Sequence, residues 1–194
     1  MKVNISVFDT FPILVSKKLT LREIRLSDAK QIFEMRSNQR VNQFIARPTM
    51  EAVESAEQLV ERTLLAYHNR QGIGWAGLLK NSEKIIGTCG LNNIDLPNLR
   101  AEIGGELATE YWGKKIAIEA VIAIIQFGLY HMLLHTIEAK VSPDNRGAIY
   151  LLESLGFYKE AHFADRIYFN GQFMDMAVYT LIKGNENLGY SSTL

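Results

Sequence analysis

Cysteine is almost absent from the sequence, and its scarcity excludes whole classes of site. The single cysteine among 194 residues, Cys89, rules out an intramolecular disulfide framework and any cysteine-rich metal site. Because Cys89 lies in the apolar run Ile85 to Leu91, we expect a buried structural thiol rather than a nucleophile. The histidines show no metal-ligand spacing with carboxylates, so we predict no metal.

An excess of charge of one sign is also lacking. Lysine plus arginine and aspartate plus glutamate each number 21, which gives a formal net charge of zero. Proteins that bind nucleic acid neutralise many phosphates with a basic surface, so we expect no nucleic-acid partner. No apolar run approaches the ~18 residues of a membrane span, and the first residues lack the apolar segment of a signal peptide. We therefore expect a cytoplasmic protein without a membrane partner.

The length and composition favour one compact domain. Apolar residues make up 47% and charged residues 22% of the chain, which is ordinary for a globular protein. No internal repeat and no low-complexity segment divides the sequence, and a chain of this length typically forms one domain. The stretch 184–194 is polar and without periodicity. We predict a single domain over residues 1–183 and a flexible C-terminal tail over residues 184–194.

Hydrophobic periodicity predicts an α/β fold with the order β-α-α-β-β-β-α-β-α-β-β. Short polar turns between the strands are typical of antiparallel neighbours, and Asn170-Gly171 is a strong hairpin signal. The helices are expected to begin near Asp28, Thr49, Gly113 and Asn145. The predicted strands cover residues 19–24, 73–79, 84–94, 100–107, 136–141, 158–168 and 172–182.

A strand followed by a loop rich in glycine and lysine gives the first functional hint. The strand ends in Glu102 to Leu107, and the loop and helix start follow in Tyr111 to Ala117. Free backbone N–H groups at a helix start, together with the helix dipole, favour an anion such as phosphate. An ordinary strand-to-helix turn explains the same residues equally well.

A second segment, residues 141–157, has the features of a well-capped helix. Pro143 fixes its approach, Asp144 or Asn145 can cap its start, and Gly156 can end it in a left-handed turn. The two segments lie about 28 residues apart, and together they resemble the GNAT N-acetyltransferase superfamily. The resemblance implies a mixed, mostly antiparallel sheet flanked by helices, with acetyl-coenzyme A in the cleft where the fourth and fifth predicted strands part.

The resemblance also implies which residues hold acetyl-coenzyme A, the expected cosubstrate. In the family, the glycine-rich loop binds the pyrophosphate, and an asparagine at the start of the later helix contacts the pantetheine or its surroundings. The implied cofactor-binding residues are Leu107, Ala108, Trp112, Gly113, Lys114, Lys115, Ile116, Ala117 and Asn145.

Residues 11–29 and 168–175 look like the branch that contains ribosomal-protein N-terminal (alanine/serine) acetyltransferases. The whole resemblance spans residues 11–183, and it implies direct attack of a primary amine on the thioester without an acyl-enzyme. The favoured acceptor is a protein N-terminal amine such as that of a ribosomal protein. The alternatives are a small amine, either an antibiotic or a polyamine, and a non-catalytic acyl-coenzyme A binding protein. A homodimer is compatible with the sequence.

A general base is needed because an ammonium nucleophile has no lone pair. Glu102 and Glu106 share one face of a strand by alternation, and Glu102 is the first choice, with Glu106 or water as alternatives. An exposed carboxylate pair without a catalytic role fits the same pattern. The family's usual general acids, serine or tyrosine, are replaced by Ala148 and Leu152, and Tyr150 faces elsewhere because two helical residues are about 200° apart.

Two further features of the site segment carry expectations about backbone geometry. Family members usually have glycine at position 115, and we expect Lys115 to fit because a residue in the first helical turn has a negative φ. Gly104-Gly105 inside a strand predicts a bulge or the close approach of a backbone or ligand. In the family a splayed strand here leaves an N–H for the acetyl carbonyl.

His135, before a strand, is expected to be structural.

The acidic residues of the second predicted helix hint at the charge of the acceptor. A markedly acidic acceptor site would favour a polycation, and this helix offers a modest excess of carboxylates. These residues are Glu51, Glu54, Glu57 and Glu61.

Overall fold

A computed structural model describes residues 2–189, which form one eight-stranded sheet in the order β1-β2-β3-β4-β5-β6-β8-β7. Its strands are β1 (Leu14–Val15), β2 (Leu19–Glu23), β3 (Ile73–Leu79), β4 (Ile85–Asp95), β5 (Arg100–Leu107), β6 (Thr136–Val141), β7 (Tyr158–Phe169) and β8 (Gln172–Ile182). The helices are α1 (Ala29–Arg36), α2 (Gln39–Asn42), α3 (Val53–His68), α4 (Ile116–Gln126) and α5 (Arg146–Ser154). A π-helical turn, Phe127–His131, extends α4.

Strands β5 and β6 form the parallel pair of an otherwise antiparallel sheet within these residues. They pair over three positions alone, Arg100–Glu102 against Thr136–Glu138. On its other side, β5 stays paired with β4 as far as Leu107. The two parallel strands therefore part in mid-sheet and leave a gap that opens toward the carboxyl end of β5.

The strands alternate between two apolar faces, and each face is covered by its own helices. Trp75 and Leu91 are fully buried on the face that packs against α4, where Ile124 is fully buried too. On the opposite face, Ala76 packs with α1 and with Val60 of α3. Full burial of a side chain the size of Leu91 or Ile124 stabilises the fold by about 2 kcal/mol. The sheet is thus held between helices over β2 to β5.

The predicted fold class is confirmed, and each predicted strand and helix is present. Periodicity missed β1 and α2 because elements of two and four residues are too short to show a period. Helix starts were less accurate: α4 begins at Ile116 rather than near Gly113, and α3 at Val53 rather than near Thr49. The hairpin at Asn170-Gly171 is confirmed, and both residues have the positive φ, 48° and 80°, that such a turn requires.

Part of the predicted tail contacts the body of the protein. The N–H of Asn187 donates to the carbonyl oxygen of Leu155 at 3.0 Å, and Leu188 packs against the main core. Residues 190–194 lie outside the described residues, so the flexible tail stays a prediction. Within residues 2–189, every helix is too short or too polar to cross a bilayer.

Candidate active site

The backbone of β5 offers N–H groups to the gap where β5 leaves β6. The N–H of Ala108 donates to the carbonyl oxygen of Ile86 at 2.9 Å, and in an antiparallel pair the bonded positions alternate. The N–H groups of Gly105 and Leu107 therefore point away from β4 and into the gap, whereas the N–H of Ile103 is used in the pairing of Glu102 with Glu138 of β6. Donors in this arrangement can hold the carbonyl oxygen of a ligand that lies between the strands.

The two glycines of β5 differ in their surroundings. A Cβ on Gly105 would lie 2.8 Å from the carbonyl oxygen of Thr88 and 2.9 Å from Cβ of Cys89. A Cβ on Gly104 would meet just the amide nitrogen of Asn92 at 4.0 Å. The register between β4 and β5 runs unbroken through both glycines. The predicted bulge is therefore wrong. The predicted close approach of another backbone is confirmed at Gly105. Next to Gly104 there is open space, which we call the floor of the site.

Two residues of the loop before α4 have a positive φ, which corrects the expected backbone conformation of Lys115. Gly113 has φ 72°, and Lys115, the residue that caps α4, has φ 59° and ψ 21°. The expectation that Lys115 lies in the first helical turn with a negative φ is wrong, because the helix starts one residue later. A lysine in this conformation costs about 1–2 kcal/mol relative to its preferred backbone, whereas glycine adopts it freely.

Side chains fix the loop while its N–H groups stay available. The indole N–H of Trp112 donates to the carbonyl oxygen of Leu107 at 2.8 Å, and the guanidinium of Arg40 lies 5.5 Å from the indole ring centroid. Ile116 is buried. Lys115 forms no side-chain cap, so the first N–H groups of α4 remain free to bind an anion.

The other implied cofactor residues lie at the same end of the molecule. Lys114 is exposed, its ammonium lies 5.5 Å from the ring centroid of Tyr111, and its carbonyl oxygen accepts from the ammonium of Lys18 at 3.4 Å. Ala117 is half-buried in the first turn of α4, and Ala108 directly follows β5. The structure thus brings the segment that ends β5 and the loop that starts α4 together.

Glu106 is buried, although it belongs to the carboxylate pair of β5. Its side chain is 3% exposed and forms ion pairs with Nε of Arg36, at 2.5 Å, and with the guanidinium of Arg47. The hydroxyl of Thr88 donates to the same carboxylate at 3.2 Å. The alternative of an exposed carboxylate pair is therefore wrong for Glu106, since both of its oxygens are occupied.

Glu102 lies at the start of the gap, where β5 and β6 form their last pair. Its carboxylate is 2.6 Å from the ammonium of Lys140, and both side chains are partly exposed. A neighbouring pair, Arg100 and Glu138, also spans the two strands at 3.3 Å. Glu102 thus has a surface-accessible carboxylate next to the gap, with one oxygen free of ion pairs within the described structure.

Asn145 caps α5, which decides between the two capping residues that the sequence left open. Its side-chain oxygen accepts from the N–H of Ala148 at 3.1 Å. Tyr150 is 76% exposed, and Ala148 and Leu152 carry no proton to donate. That Tyr150 does not substitute for the usual acid stays a prediction.

Cys89 and His135 have structural surroundings. Cys89 is half-buried rather than buried as expected, and desolvation raises the pKa of its thiol to about 12, so the reactive thiolate is scarce at neutral pH. The backbone of His135 donates to the carbonyl oxygen of Leu99 at 2.6 Å and accepts from Lys183 at 2.9 Å, which anchors the start of β6. Over residues 2–189, histidines, cysteine and carboxylates form no group of three or more that could hold a metal ion.

Three residues of the site carry no signal in the sequence. Arg36 and Arg47 lie 70 and 59 positions before Glu106, and Lys140 lies 38 positions after Glu102. Such ion pairs form when separate elements pack together, so the periodicity of residues within one element cannot predict them.

The sheet splits between β5 and β6, N–H donors face the split, and an open helix start lies beside it. These features define a class of protein that binds a molecule with a carbonyl group at one end and an anionic group at the other.

The comparisons with known proteins identify the family. Residues 18–158 match the model of the acetyltransferase (GNAT) domain, and the chain belongs to this family. It is 33% identical to the uncharacterized N-acetyltransferase YoaA of Bacillus subtilis over 176 residues, which cover 91% of this chain and 99% of that relative. The protein is therefore an acetyl-coenzyme A-dependent N-acetyltransferase.

More distant relatives carry names that specify an acceptor. The chain is 29% identical to the [ribosomal protein uS5]-alanine N-acetyltransferase of Escherichia coli, over 59% of this chain and 60% of that protein. It is 23% identical to the spermidine N(1)-acetyltransferase of Vibrio cholerae, over 84% and 91% of the two chains. The solved structure of RimL, the ribosomal L7/L12 alpha-N-protein acetyltransferase in complex with coenzyme A, superposes with a TM-score of 0.81 at 20% identity, over 88% and 98% of the two chains.

Proposed function

We propose that the protein acetylates a protein N-terminal α-amine, such as that of a ribosomal protein, by direct attack of the amine in the gap between β5 and β6. The observation that carries the proposal is the parting of these strands after three residue pairs. It leaves the N–H groups of Gly105 and Leu107 facing the gap and the carboxylate of Glu102 at its edge. The proposal puts the reaction in the cytoplasm.

The residues around the gap fit acetyl-coenzyme A. The free N–H groups of the loop from Gly113 to Ala117 would hold the pyrophosphate, and Leu107 and Ala108 would bind the pantetheine along the end of β5. The side-chain amide of Asn145 has two N–H groups to offer, because its oxygen alone is used to cap α5. When bound, acetyl-coenzyme A supplies an acetyl thioester that an amine can attack.

A side chain and a backbone group have separate roles in the proposal. Glu102 accepts the proton of the acceptor ammonium, directly or through a water molecule, and the N–H of Gly105 donates to the oxygen on which negative charge develops. Glu106 is the weaker candidate for the base, because two arginines occupy its oxygens. A general acid is dispensable, since a thiol of pKa ~8.5 departs as thiolate without one.

The choice of acceptor rests on the relatives and on the N-terminal and C-terminal segments that resemble the ribosomal-protein branch. The uS5-alanine enzyme, 29% identical over 59% of this chain, supports a protein N-terminus. The spermidine enzyme, 23% identical over 84% of this chain, supports the alternative of a small polyamine. A non-catalytic acyl-coenzyme A binding protein is the third candidate, because the usual acids are missing.

The first experiment measures binding of coenzyme A and acetyl-coenzyme A by thermal shift. A ligand at a hundredfold excess over its Kd adds ~2.7 kcal/mol to the stability of the folded state, which raises the melting temperature by several degrees. The absence of a shift at millimolar ligand would contradict the proposed site.

The second experiment screens acceptors, with detection of the released thiol. Peptides with a free N-terminus, spermidine and an aminoglycoside are each incubated with acetyl-coenzyme A. We expect turnover of peptides above that of the small amines. Turnover of spermidine alone supports the polyamine alternative, and binding without turnover of any amine supports the non-catalytic one.

A further inference from the structure

Three arginines surround the buried carboxylate at the end of β5. Arg36 ends α1, Arg47 lies in the loop after α2, and Arg62 is an exposed residue of α3 whose positive charge lowers the pKa of Arg36. We call these three residues the arginine cluster. Two of its guanidinium groups share the single carboxylate of Glu106, so they keep one net positive charge, and Arg62 adds another.

The cluster has N–H donors that the described residues do not use. Arg36 uses Nε alone for Glu106, and Arg47 uses Nε for Asn42 and one terminal nitrogen for Glu106. The remaining terminal nitrogens have no protein partner among residues 2–189, and the two side chains are 19% and 21% exposed. A guanidinium fork with free donors at the edge of a buried site binds carboxylate or phosphate in a bidentate manner.

Glu106 is the one carboxylate that forms ion pairs with the cluster within residues 2–189. Burial lowers the pKa of Arg36, and the positive charges of Arg47 and Arg62 lower it further, whereas Glu106 opposes both effects. Arg62 forms no ion pair within the described part of the chain. A second anion at this position would relieve the repulsion between guanidinium groups that are largely removed from water.

The cluster lies close to Gly104, which forms the floor of the site. Glu106 is two residues beyond Gly104 on the same face of β5, a separation of roughly 7 Å at 3.3 Å per residue. An extended peptide advances by about 3.3–3.6 Å per residue. A peptide whose N-terminal amine lies over Gly104 thus brings its second or third side chain to the cluster.

The acidic residues of α3 are not among the ion-pair partners of the cluster within the described residues. Glu54, Glu57 and Glu61 are exposed to solvent, and none of them forms an ion pair with the cluster within residues 2–189. The hint of a polycationic acceptor therefore does not extend to the groups that line the floor near Gly104.

We propose that the acceptor carries an oxyanion, either a carboxylate or a phosphate, at the second or third residue after its reactive amine, and that the arginine cluster binds this group. The inference rests on the proposed function and specifies its acceptor: the N-terminal segment is acidic or phosphorylated. Arg36 and Arg47 donate to the oxyanion, and Arg62 adds attraction.

The experiment uses the full chain and short synthetic peptides with a free N-terminal alanine. Within each set the peptides differ at one position, the second or the third, which is aspartate, phosphoserine, asparagine or lysine. The quantity measured is the ratio of kcat/KM for the anionic peptide to that for the asparagine peptide. We expect a ratio of about ten or more in at least one set, the worth of a charge-assisted hydrogen bond, and the lowest kcat/KM for lysine.

Three variants test the residues. Arg36→Gln and Arg62→Gln are expected to bring the ratio close to one, and Arg70→Gln, an exposed arginine just beyond α3, to leave it unchanged. The ratio compares two substrates of one preparation, so a lower folded fraction does not affect it. Arg62→Gln lies outside the ion pairs of Glu106 and tests the inference even if Arg36→Gln does not fold.

The outcomes separate this inference from the proposed function. Equal turnover of all peptides by the wild type, or a ratio that neither Arg36→Gln nor Arg62→Gln changes, overturns the anionic acceptor and leaves peptide acetylation intact. Turnover of small amines and of no peptide overturns both. A higher ratio for phosphoserine than for aspartate assigns the anion as phosphate, and the reverse assigns it as carboxylate.

Discussion

The two ends of strand β5 have the same neighbour on one side and different surroundings elsewhere. At its start, β5 is paired with both β4 and β6, and Glu102 forms a partly exposed ion pair with Lys140. At its end, β5 is paired with β4 alone, and Glu106 is buried between two arginines. The start of the strand is a continuous sheet, and the end is one wall of a gap.

This contrast shows that the alternation of side chains along a strand says little about what each side chain contacts. Alternation puts Glu102 and Glu106 on one face, and the structure agrees. What each carboxylate contacts depends on elements far away in the chain: β6 supplies Lys140, and the segments around α1 and α2 supply Arg36 and Arg47. Chemically identical residues thus become an accessible base candidate and a buried anchor.

The largest expected effect separates the two carboxylates by stability. Glu106→Gln is expected to lower the free energy of unfolding by about 3 kcal/mol, because it leaves two largely buried guanidinium groups without their counter-charge. Glu102→Gln is the matched control and should cost less than about 1 kcal/mol, since its ion pair is exposed and screened. Urea denaturation followed by tryptophan fluorescence measures both. Equal losses would mean that the two environments do not differ in energy.

The next effect separates them by catalysis. Glu102→Gln is expected to lower kcat about a hundredfold and to leave the KM for acetyl-coenzyme A nearly unchanged. The acidic limb of a pH–rate profile reports the general base, so the variant should lose it. Steady-state kinetics from acidic to alkaline pH provide the measurement. A variant with the kcat and pH profile of the wild type would transfer the role of base to water or Glu106.

A smaller effect compares the two glycines between these carboxylates. Gly105→Ala is expected to cost about 2 kcal/mol of stability, because its Cβ would lie 2.8 Å from the carbonyl oxygen of Thr88. Gly104→Ala meets open space and should change stability by less than about 0.5 kcal/mol. Thermal denaturation of both variants tests the comparison. A larger loss for Gly104→Ala would contradict the described packing of β5 on β4.

The smallest effect concerns the loop that follows β5. Lys115→Gly is expected to raise stability by about 0.5 kcal/mol, since it removes the strain of a left-handed lysine at some cost in unfolded-chain entropy. Lys114→Gly is the control: Lys114 has a negative φ, so it should lose about 0.5 kcal/mol. Melting temperatures of the two variants should move in opposite directions, and a decrease for both would refute the assignment of strain.

The same variant tests whether Lys115 obstructs the anion site. We expect Lys115→Gly to bind acetyl-coenzyme A no more tightly than the wild type, with a weaker dependence of KM on salt, because an ammonium close to an anion contributes a screened attraction. A tenfold gain in affinity, about 1.4 kcal/mol, would show that the lysine blocks the loop.

Much of the fold follows from local sequence, and the site follows from it in part. The strands from β2 to β8 and the Asn170-Gly171 hairpin were predictable because alternation and turn residues are local signals. The backbone of Lys115 was not, since the sequence does not show that the helix begins one residue after it. The ion pairs of Glu106 were equally hidden, because they join residues 59 and 70 positions apart.

The early parting of β5 and β6 has a consequence for amide hydrogen exchange. Past Ile103, the N–H groups of Gly104 and Glu106 are bonded to β4, whereas those of Gly105 and Leu107 face the gap. Bonded amides in a core strand exchange at rates set by opening of the sheet, and unbonded ones exchange quickly. A central strand of this protein should therefore show fast and slow amides in strict alternation over its second half, and a molecule that enters the gap should slow the fast set alone.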